Sequence, residues 1–503
     1  MCGIVTVYGD NASRWAPYLD TMLNRLSHRG PDDQGIYVDS NIALGQKRLS
    51  IIDVAGGRQP IFAEDGQKCV ICNGEIYNHL ALRDKLSHHR FRTNSDTEVA
   101  LHLFEEEEDS VSRLDGMFAF VLYDGKDILV ARDPLGIKLL YQGRKDGCLF
   151  FASEIKALEG MVDSIQEFPA GHYYSSKSGL FQYYNIPQIS HYERDVDRIT
   201  ARLREKLTKA VRKRLMSDVP LGVFLSGGID SSIIAAVARE HFNRLNSFSV
   251  GMEGATDLIY ARKVADFLGT DHHEYIYSRD EVVRVLPYVI YHLESFDPPL
   301  VRSAIPTYFV SRLASDYVKV ILTGEGSDEV FAGYHYFRQI DEEESLHEES
   351  IRIISGLHNL NLQRVDRATM AHSIEGRVPF LDLDFVEYAT AIDPKLKLAG
   401  ENRMEKWLLR KAFAGYLPDE VLWRTKMEFA DGCGSAQLIA DFAQSEISDA
   451  EFDEARRKFE QIGISSKEEL YYFKIFRSLF STQGLPQTIG RWIGSYLPEV
   501  PDQ

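Results

Sequence analysis

The sequence predicts two units in tandem: a layered α+β half, then an α/β half with a doubly wound, mostly parallel sheet and a helical C-terminal region. Three observations predict this. The chain has 503 residues, more than one ordinary domain holds. Its first 190 or so residues are short apolar runs separated by Gly, Asp and Asn, the texture of packed sheet with few helices. From about Ile199, strand-like runs alternate with amphipathic helices around glycine turns, the pattern of a parallel sheet covered on both faces.

In the first half the strand candidates are Cys69–Cys72, Met117–Tyr123, Ile128–Ala131 and Leu149–Ala152, with helices at Ala16–Leu26 and Thr97–Glu106. The polar, aperiodic stretch from Pro187 to Arg194 is the expected boundary, giving domains at 2–190 and 199–503. Ile199–Met216 carries Leu203, Leu207, Val211 and Leu215 at helical spacing on a basic background. A strand at Leu221–Leu225, a helix at Ser231–His241 and strands at Phe248–Val250 and Val318–Leu322 follow, and the chain from about Ile351 reads as helical. The acidic runs Glu105–Asp109 and Asp341–Glu344 read as solvated faces or loops.

With 57 basic and 75 acidic residues the net charge is −18, which argues against a nucleic-acid binder or an anionic-membrane binder. No stretch reads as a membrane span and no basic-then-apolar leader precedes the first motif. Five cysteines, odd in number and sparse, suit a reducing cytoplasm. Cys69 and Cys72 match C-x-x-C, but three positions apart on a strand they point to opposite faces, so buried packing is expected.

Three segments carry chemistry. Cys2 follows the initiator methionine. Trimming of Met1 would leave a thiol and a free α-amine on one residue, a nucleophile with its own base. Alone, Cys2 reads as readily as a small buried residue. Leu225-Ser226-Gly227-Gly228-Ile229-Asp230-Ser231-Ser232 lies between an expected strand and an expected helix. Its glycines admit close approach of an anion, its hydroxyls and helix-terminal amides donate to phosphate oxygens, and Asp230 can hold magnesium. It is neither a Walker A loop nor a dinucleotide fingerprint. Thr323-Gly324-Glu325-Gly326-Ser327-Asp328-Glu329 repeats the strand-then-glycine logic with three carboxylates, suited to metal binding and proton transfer.

The loop Ser226–Ser232 resembles the pyrophosphate loop of ATP pyrophosphatases, which activate a carboxylate as an acyl-adenylate. The first half resembles a class II glutamine amidotransferase through Cys2, His28-Arg29-Gly30-Pro31-Asp32, Arg48–Asp53, Asn73–Asn78, Ser95–Glu98 and Gly116–Ala119. The two in this order resemble the glutamine-hydrolysing asparagine synthetase family, over Cys2 to about Gly434. The resemblance implies a four-layer αββα N-terminal-nucleophile hydrolase fold, then a sheet of the adenine nucleotide alpha hydrolase-like type. It also implies glutamine, aspartate and ATP as substrates, Mg2+, a cytoplasmic enzyme and a homodimer.

By the same resemblance Cys2 attacks the glutamine carboxamide, and Asn73 with the Gly74 amide forms the oxyanion hole. Arg48 meets the α-carboxylate of glutamine, and Glu75 and Asp96 its α-ammonium. Leu225, Val250, Thr323 and Gly324 line the adenosine pocket. Asp230 and Asp328 hold magnesium, Glu325 takes a proton from the attacking ammonia, and Lys426 neutralises phosphate. Arg377 is implied in structural organisation or substrate contact. Three segments depart from the family pattern: Leu139 or Leu140 stands where a proline is expected, Asp297–Ser303 differs where acceptor contacts are expected, and Gly432–Ser435 lacks aromatic residues. They leave open a different carboxylate acceptor. A β-lactam-forming relative is disfavoured by intact Cys2, Arg48, Asn73, Asp96 and Glu325, and a non-catalytic sensor by two complete catalytic sets.

Overall fold

A computed structural model describes residues 2–107, 110–189, 191–400, 403–425, 432–434, 436–482 and 484–492. Two six-stranded antiparallel sheets build the first half. One runs in the order Ile165–Glu167, Tyr141–Lys145, Cys148–Ala152, Cys2–Tyr8, Ile42–Arg48, Asp33–Asp39. The other runs Gly179–Gln182, His172–Ser175, Ile128–Arg132, Gly116–Tyr123, Cys69–Ile76, Ile61–Phe62. Strand alternation sorts the faces. Ile4 packs with Cys69, Ile71, Val121 and Phe151 between the sheets. Val5 and Val7 turn the other way, onto Leu19, Met22 and Leu23 of the helix Ala16–Asn24. Cys72, Phe118 and Phe120 face Val99 and Leu103 of the helix Glu98–Glu106. The result is the four-layer αββα stack. Cys69 and Cys72 fall on opposite faces, both buried and free.

This alternation also places the first site. Cys2 shares parity with Ile4, and Asn73 with Cys69 and Ile71, so both side chains emerge between the two sheets.

The second half holds one all-parallel sheet in the order Asp271–Ile276, Asn246–Gly251, Leu221–Phe224, Val320–Leu322, Glu375–Arg377. Val223, Val320 and Leu322 pack with the helices Val196–Lys213 and Ile229–Arg239 on one face. Phe248, Val250 and Ile321 pack with Arg279–Leu293 and Pro298–Ala314 on the other. The chain enters the sheet at its centre, winds outward one way, then returns to wind the other. The switch lies between Leu221–Phe224 and Val320–Leu322, where a crevice opens at the carboxyl ends of the strands.

Boundaries shift where caps overrule periodicity. The helix expected over Ile199–Met216 spans Val196–Lys213, because the Asp195 side chain accepts from the Arg198 amide and starts it a turn earlier. The helix expected from Ser231 starts at Ile229, with Asp230 in its first turn. The strand expected from Val318 starts at Val320. Two strands carried no apolar alternation to find them by: Asp271–Ile276, an edge strand of polar sequence, and Glu375–Arg377, charged yet wholly buried. Glu105 is not solvated: its side chain is largely buried against Lys68 and His102.

The halves meet across buried ion pairs. Arg29 donates to Glu154 (2.7 Å) and forks onto Asp366 of the helix Asn361–Met370 (2.8 and 3.1 Å). Arg367 bridges Glu154 and Glu294 (2.8 Å each), and Lys156 joins the same two carboxylates. Burial raises the Glu154 carboxyl pKa, but His28, Lys156, Arg367 and Arg29 outweigh it and hold the group well below the usual range. Glu167 is a second such contact, 2.7 Å from both Arg132 and the His358 ring of the other half. Burial opposes ionisation there too, yet Arg132 and His358 bring its pKa down to about 2.

A depressed carboxylate contributes stability above its unfolded pKa and loses it as pH falls through the folded one. The Glu167 contribution is therefore complete above about pH 4.5 and lost toward about pH 2. At ~1.4 kcal/mol per pKa unit it is on the order of 3 kcal/mol. The expected result is a urea midpoint that is level near neutrality and falls steeply below pH 4, with a shallower fall in Glu167→Gln. Equal slopes in the two proteins would remove Glu167 from the acid response.

Candidate active sites

At the first site the Cys2 amide donates to Asn73 Oδ1 (3.0 Å). This leaves Asn73 Nδ2 buried with no hydrogen-bond partner among the described residues. A buried amide donor without an acceptor costs about 1–3 kcal/mol, and an oxyanion beside Cys2 would satisfy it. Gly74 sits at φ +148°, and a β-carbon there would lie 2.0 Å from the Met117 carbonyl oxygen, so glycine alone keeps this strand close to its neighbour. The Cys2 thiol is pushed up by burial, opposed by the terminal amino group, the Leu49 amide and Arg48.

Arg48 is buried, and its guanidinium donates to the carbonyls of Ile52 (3.1 Å), Asp53 (2.8 Å) and Val54 (3.2 Å). These bonds fix the fork on the residue paired with Cys2. Asp96 accepts from the Ile76 amide (2.7 Å). Glu75 is fully buried, and its Oε2 has no hydrogen-bond partner among the described residues. Both carboxyls are pushed up, Glu75 by burial and the nearby Glu375 and Asp96, Asp96 chiefly by burial. Two buried acids short of positive charge suit an incoming ammonium group. Arg377, from the second half, stands 3.6 Å from Glu75. Arg377 itself is wholly buried and bound to Glu375 and to the carbonyls of Arg214 and Met216 (2.6 Å each), which makes it an organiser of the interface.

The second site is a cavity of about 570 Å³ at the switch point, within the usual range for ligand pockets. Leu225, Ser226, Gly228, Asp230 and Ser231 line it from one loop, Thr323, Gly324, Glu325 and Asp328 from the other, and Val250 from the neighbouring strand. Gly227 lies behind at φ +70°, where a β-carbon would meet the Ala261 amide at 2.4 Å. Ser232 is wholly buried and donates to the Gly228 carbonyl (2.7 Å), so it shapes the turn from behind. The Ser226 and Ser231 hydroxyls lie 3.1 Å apart.

Two partners here were not legible as motifs. Lys406 Nζ lies 2.5 Å from Asp230 and 2.6 Å from Asp328, drawing those two acids onto one cationic point. Burial lowers the lysine pKa, but the two aspartates raise it more. Arg364 holds Glu325 in an ion pair at the far wall. Glu329 is turned away from the cavity and held by Tyr334 (2.5 Å) and Asn361 (2.9 Å); burial beside Asp328 and Glu325 takes its pKa to about 7. Of the three loop carboxylates, two therefore face the cavity. Lys426 lies outside the described residues. Asp297 caps the helix Pro298–Ala314 and also accepts from the Trp492 amide (3.0 Å), while Arg302 forks onto Glu468.

One arginine connects the two centres. Arg29 Nε donates to the carbonyl of Cys2 (2.9 Å) while its other nitrogens grip Asp366. Asp366 shares a helix with Arg364, the partner of Glu325.

Fold and sites together define a class: a glutamine amidotransferase half joined to a synthetase half whose cavity opens at the switch point of a parallel sheet. The glutamine amidotransferase domain model matches residues 1–198, and the asparagine synthase model matches 202–345 and 337–487. Asparagine synthetase [glutamine-hydrolyzing] 2 of Arabidopsis thaliana is 42% identical, covering 97% of this chain and 89% of its own. A probable asparagine synthetase of Dictyostelium discoideum is 40% identical over 99% and 97%, and one of Schizosaccharomyces pombe 41% over 98% and 96%. The chain belongs to the glutamine-hydrolysing asparagine synthetase family. Among the described residues no helix is long and apolar enough to cross a membrane.

Proposed function

We propose that the chain converts aspartate, ATP and glutamine to asparagine, AMP, pyrophosphate and glutamate. The observation that carries this is the pairing, in one body, of a cysteine site with an unfilled oxyanion donor and a phosphate-loop cavity holding an ion-paired acid. Cys2 Sγ attacks the glutamine carboxamide carbon. Asn73 Nδ2 and the Gly74 amide take the charge that develops on oxygen. With Met1 removed, the Cys2 amine takes the thiol proton and passes it to the departing ammonia, and water then frees glutamate from the thioester. Arg48 orients the α-carboxylate of glutamine, and Glu75 and Asp96 its α-ammonium.

At the second site the aspartate side-chain carboxylate attacks the α-phosphorus of ATP, and pyrophosphate leaves over the Ser226–Ser231 loop. Ammonia attacks the acyl carbon, Glu325 accepts a proton from the resulting ammonium adduct, and AMP departs. Asp230 and Asp328 are the residues that would hold Mg2+; two carboxylates already drawn onto one cation match its oxygen preference. Bound there, the ion supplies charge neutralisation of the polyphosphate. Lys426 is assigned to the phosphate, by family resemblance. The five buried, unpaired thiols support a cytoplasmic setting, and the family pattern a homodimer.

The test is pyrophosphate release with aspartate against other carboxylates, each with glutamine and with ammonium. Aspartate is expected to give the highest kcat/KM. A different carboxylate doing so would move the chain to a specialised amidation, a reading favoured by the commitment of Asp297 and Arg302 to structural contacts.

Asp230→Asn is expected to lower synthesis by orders of magnitude, since metal charge stabilisation is worth several kcal/mol and ~1.4 kcal/mol is tenfold in rate. Asparagine keeps the acceptor for Ser327, now at 2.7 Å, and removes the charge facing Lys406. Glutamine hydrolysis should continue. Near-normal synthesis and an unchanged magnesium dependence of ATP binding would reduce the loop to a turn.

A further inference from the structure

Away from both sites, on the outer helical layer of the first half, four side chains from three segments converge. Glu64 comes from the hairpin before Cys69–Ile76, His89 from the turn after the helix His79–Lys85, and His102 and Glu105 from the helix Glu98–Glu106. Each offers one nitrogen or oxygen, and the four atoms lie within 4.8 Å of one another. Glu105 Oε2 is 2.8 Å from His102 Nδ1 and 3.5 Å from His89 Nδ1, which is 3.8 Å from Glu64 Oε1. His88, His89 and Glu106 form a second trio outside it, with His88 Nε2 2.7 Å from Glu106.

An ordinary ion-pair network explains this cluster incompletely. The His102 side chain is wholly buried, stacked on His89 (centroids 4.6 Å) and edge-on to Phe91 (4.6 Å). Its Nε2 has no hydrogen-bond partner among the described residues, its closest carboxylate oxygen being on Glu98 at 3.5 Å. Nε2 of His89 is likewise buried without a hydrogen-bond partner, its recorded carboxylate neighbour being Glu106 at 3.8 Å, and its Nδ1 lies between two carboxylates, too far from each for a good hydrogen bond. An ion bound by four such atoms at ~2.0–2.1 Å sets its donors about 3.3 Å apart, so the present separations need only small adjustments of the rings and Glu64. Lys68 bonds the other oxygen of Glu105 (2.9 Å), and the Arg90 amide donates to Glu64 Oε1 (2.6 Å). Both contacts orient ligand carboxylates from outside, as the second ring of partners does in metal sites.

We propose that Glu64, His89, His102 and Glu105 bind a divalent ion of the zinc class. Two imidazoles and two carboxylates are the ligand chemistry of such an ion, and the two glutamates balance its charge. The site is a clamp as well. The turn between His89 and His102 contains Asp96; Glu98 caps it by accepting from the Arg92 and Thr93 amides (2.6 and 2.8 Å). Metal would join the two ends of that turn to the Glu64 hairpin, and so set the freedom of the segment that carries Asp96. This second consequence rests on the reading of Asp96 as a glutamine contact; the metal site does not.

The experiment is titration of chelator-stripped protein with Zn2+, and with Co2+ read by its tetrahedral visible spectrum. A Cys2→Ala background removes the catalytic thiol as a rival ligand, and the binding readout needs no enzyme activity. One equivalent should bind, with a rise in melting temperature. His89→Gln and Glu64→Gln, both at partly exposed positions, should each weaken binding at least tenfold and abolish that rise. Equal affinity in these variants and their parent would overturn the site. With Cys2 intact, Zn2+ at one equivalent should shift the KM for glutamine severalfold and leave ammonium-driven turnover alone. Site-bound zinc that leaves the glutamine KM unmoved would overturn the clamp.

Discussion

Cys2→Ala is expected to abolish asparagine formation from glutamine and to leave formation from ammonium within a few-fold of the parent. The expectation follows from what the side chain does and does not touch. Two of its contacts with the rest of the site run through the backbone, the amide donating to Asn73 Oδ1 and the carbonyl accepting from Arg29; the thiol itself meets the Leu49 amide. Alanine keeps both backbone contacts, and with them the grip of Arg29 on Asp366. Cys2 is only 6% exposed and lies in a paired strand, so removing one sulfur leaves a small void and a stable sheet. On the proposed reading the nucleophile alone is lost, and the thiols of the adjoining sheet do not replace it. Cys69 and Cys72 are buried in the sheet, with pKa values pushed well up by burial. The measurement is asparagine yield from each nitrogen source, with far-UV circular dichroism to confirm folding. Loss of both activities in a folded protein would refute two separable chemistries. A companion check is mass spectrometry of the active enzyme, where retained Met1 would leave Cys2 without its own amine as base.

What could be read from the sequence was what lies close together in it. The loops after Phe224 and Leu322 each compress a strand end, a glycine turn and an acid into a few residues, and the crevice between them follows from parallel winding. The parity of Cys2 and Asn73 on their strands likewise puts both in one gap. Lys406 was not legible: it is 176 residues from Asp230, in a segment with no motif, and its left-handed backbone (φ +58°) is invisible in sequence. Arg29 was legible only as part of a motif. Its partner Asp366 is 337 residues away, so the link between the centres existed only after folding. The strands Asp271–Ile276 and Glu375–Arg377 escaped because ladder pairing and buried ion pairs, not apolar alternation, hold them. Glu75 shows the limit from the other side. The motif named it, but nothing local said that Arg377 would stand 3.6 Å off.

Glu325→Gln is expected to lower amide formation from ammonium by about 10²–10⁴-fold, the usual weight of a general base, with ATP binding retained. Glu325 lines the cavity beside Thr323, Gly324 and Asp328, and its carboxylate is ion-paired to Arg364. The pair holds the carboxylate in place at the cavity wall. A protonated carboxyl could not accept from the ammonium adduct. Glu329 cannot substitute, since it is turned away from the cavity and its pKa is taken to about 7 by burial and neighbouring acids. The competing account is electrostatic: an acid near a short helix start contributes ~0.3–1 kcal/mol through the helix dipole. That account predicts a small loss of melting temperature and nearly normal turnover. Glutamine at 325 keeps the side-chain length and one oxygen for Arg364, so an effect on packing alone should be slight. Arg364→Lys separates positioning from proton transfer: it keeps a cation beside Glu325 but loses the planar fork, and should cost less than Glu325→Gln. The informative quantities are single-turnover amide formation with ammonium and the amplitude of pyrophosphate released. A base role requires adenylate to form and then stall. Turnover of Glu325→Gln within a few-fold of the parent would exclude it.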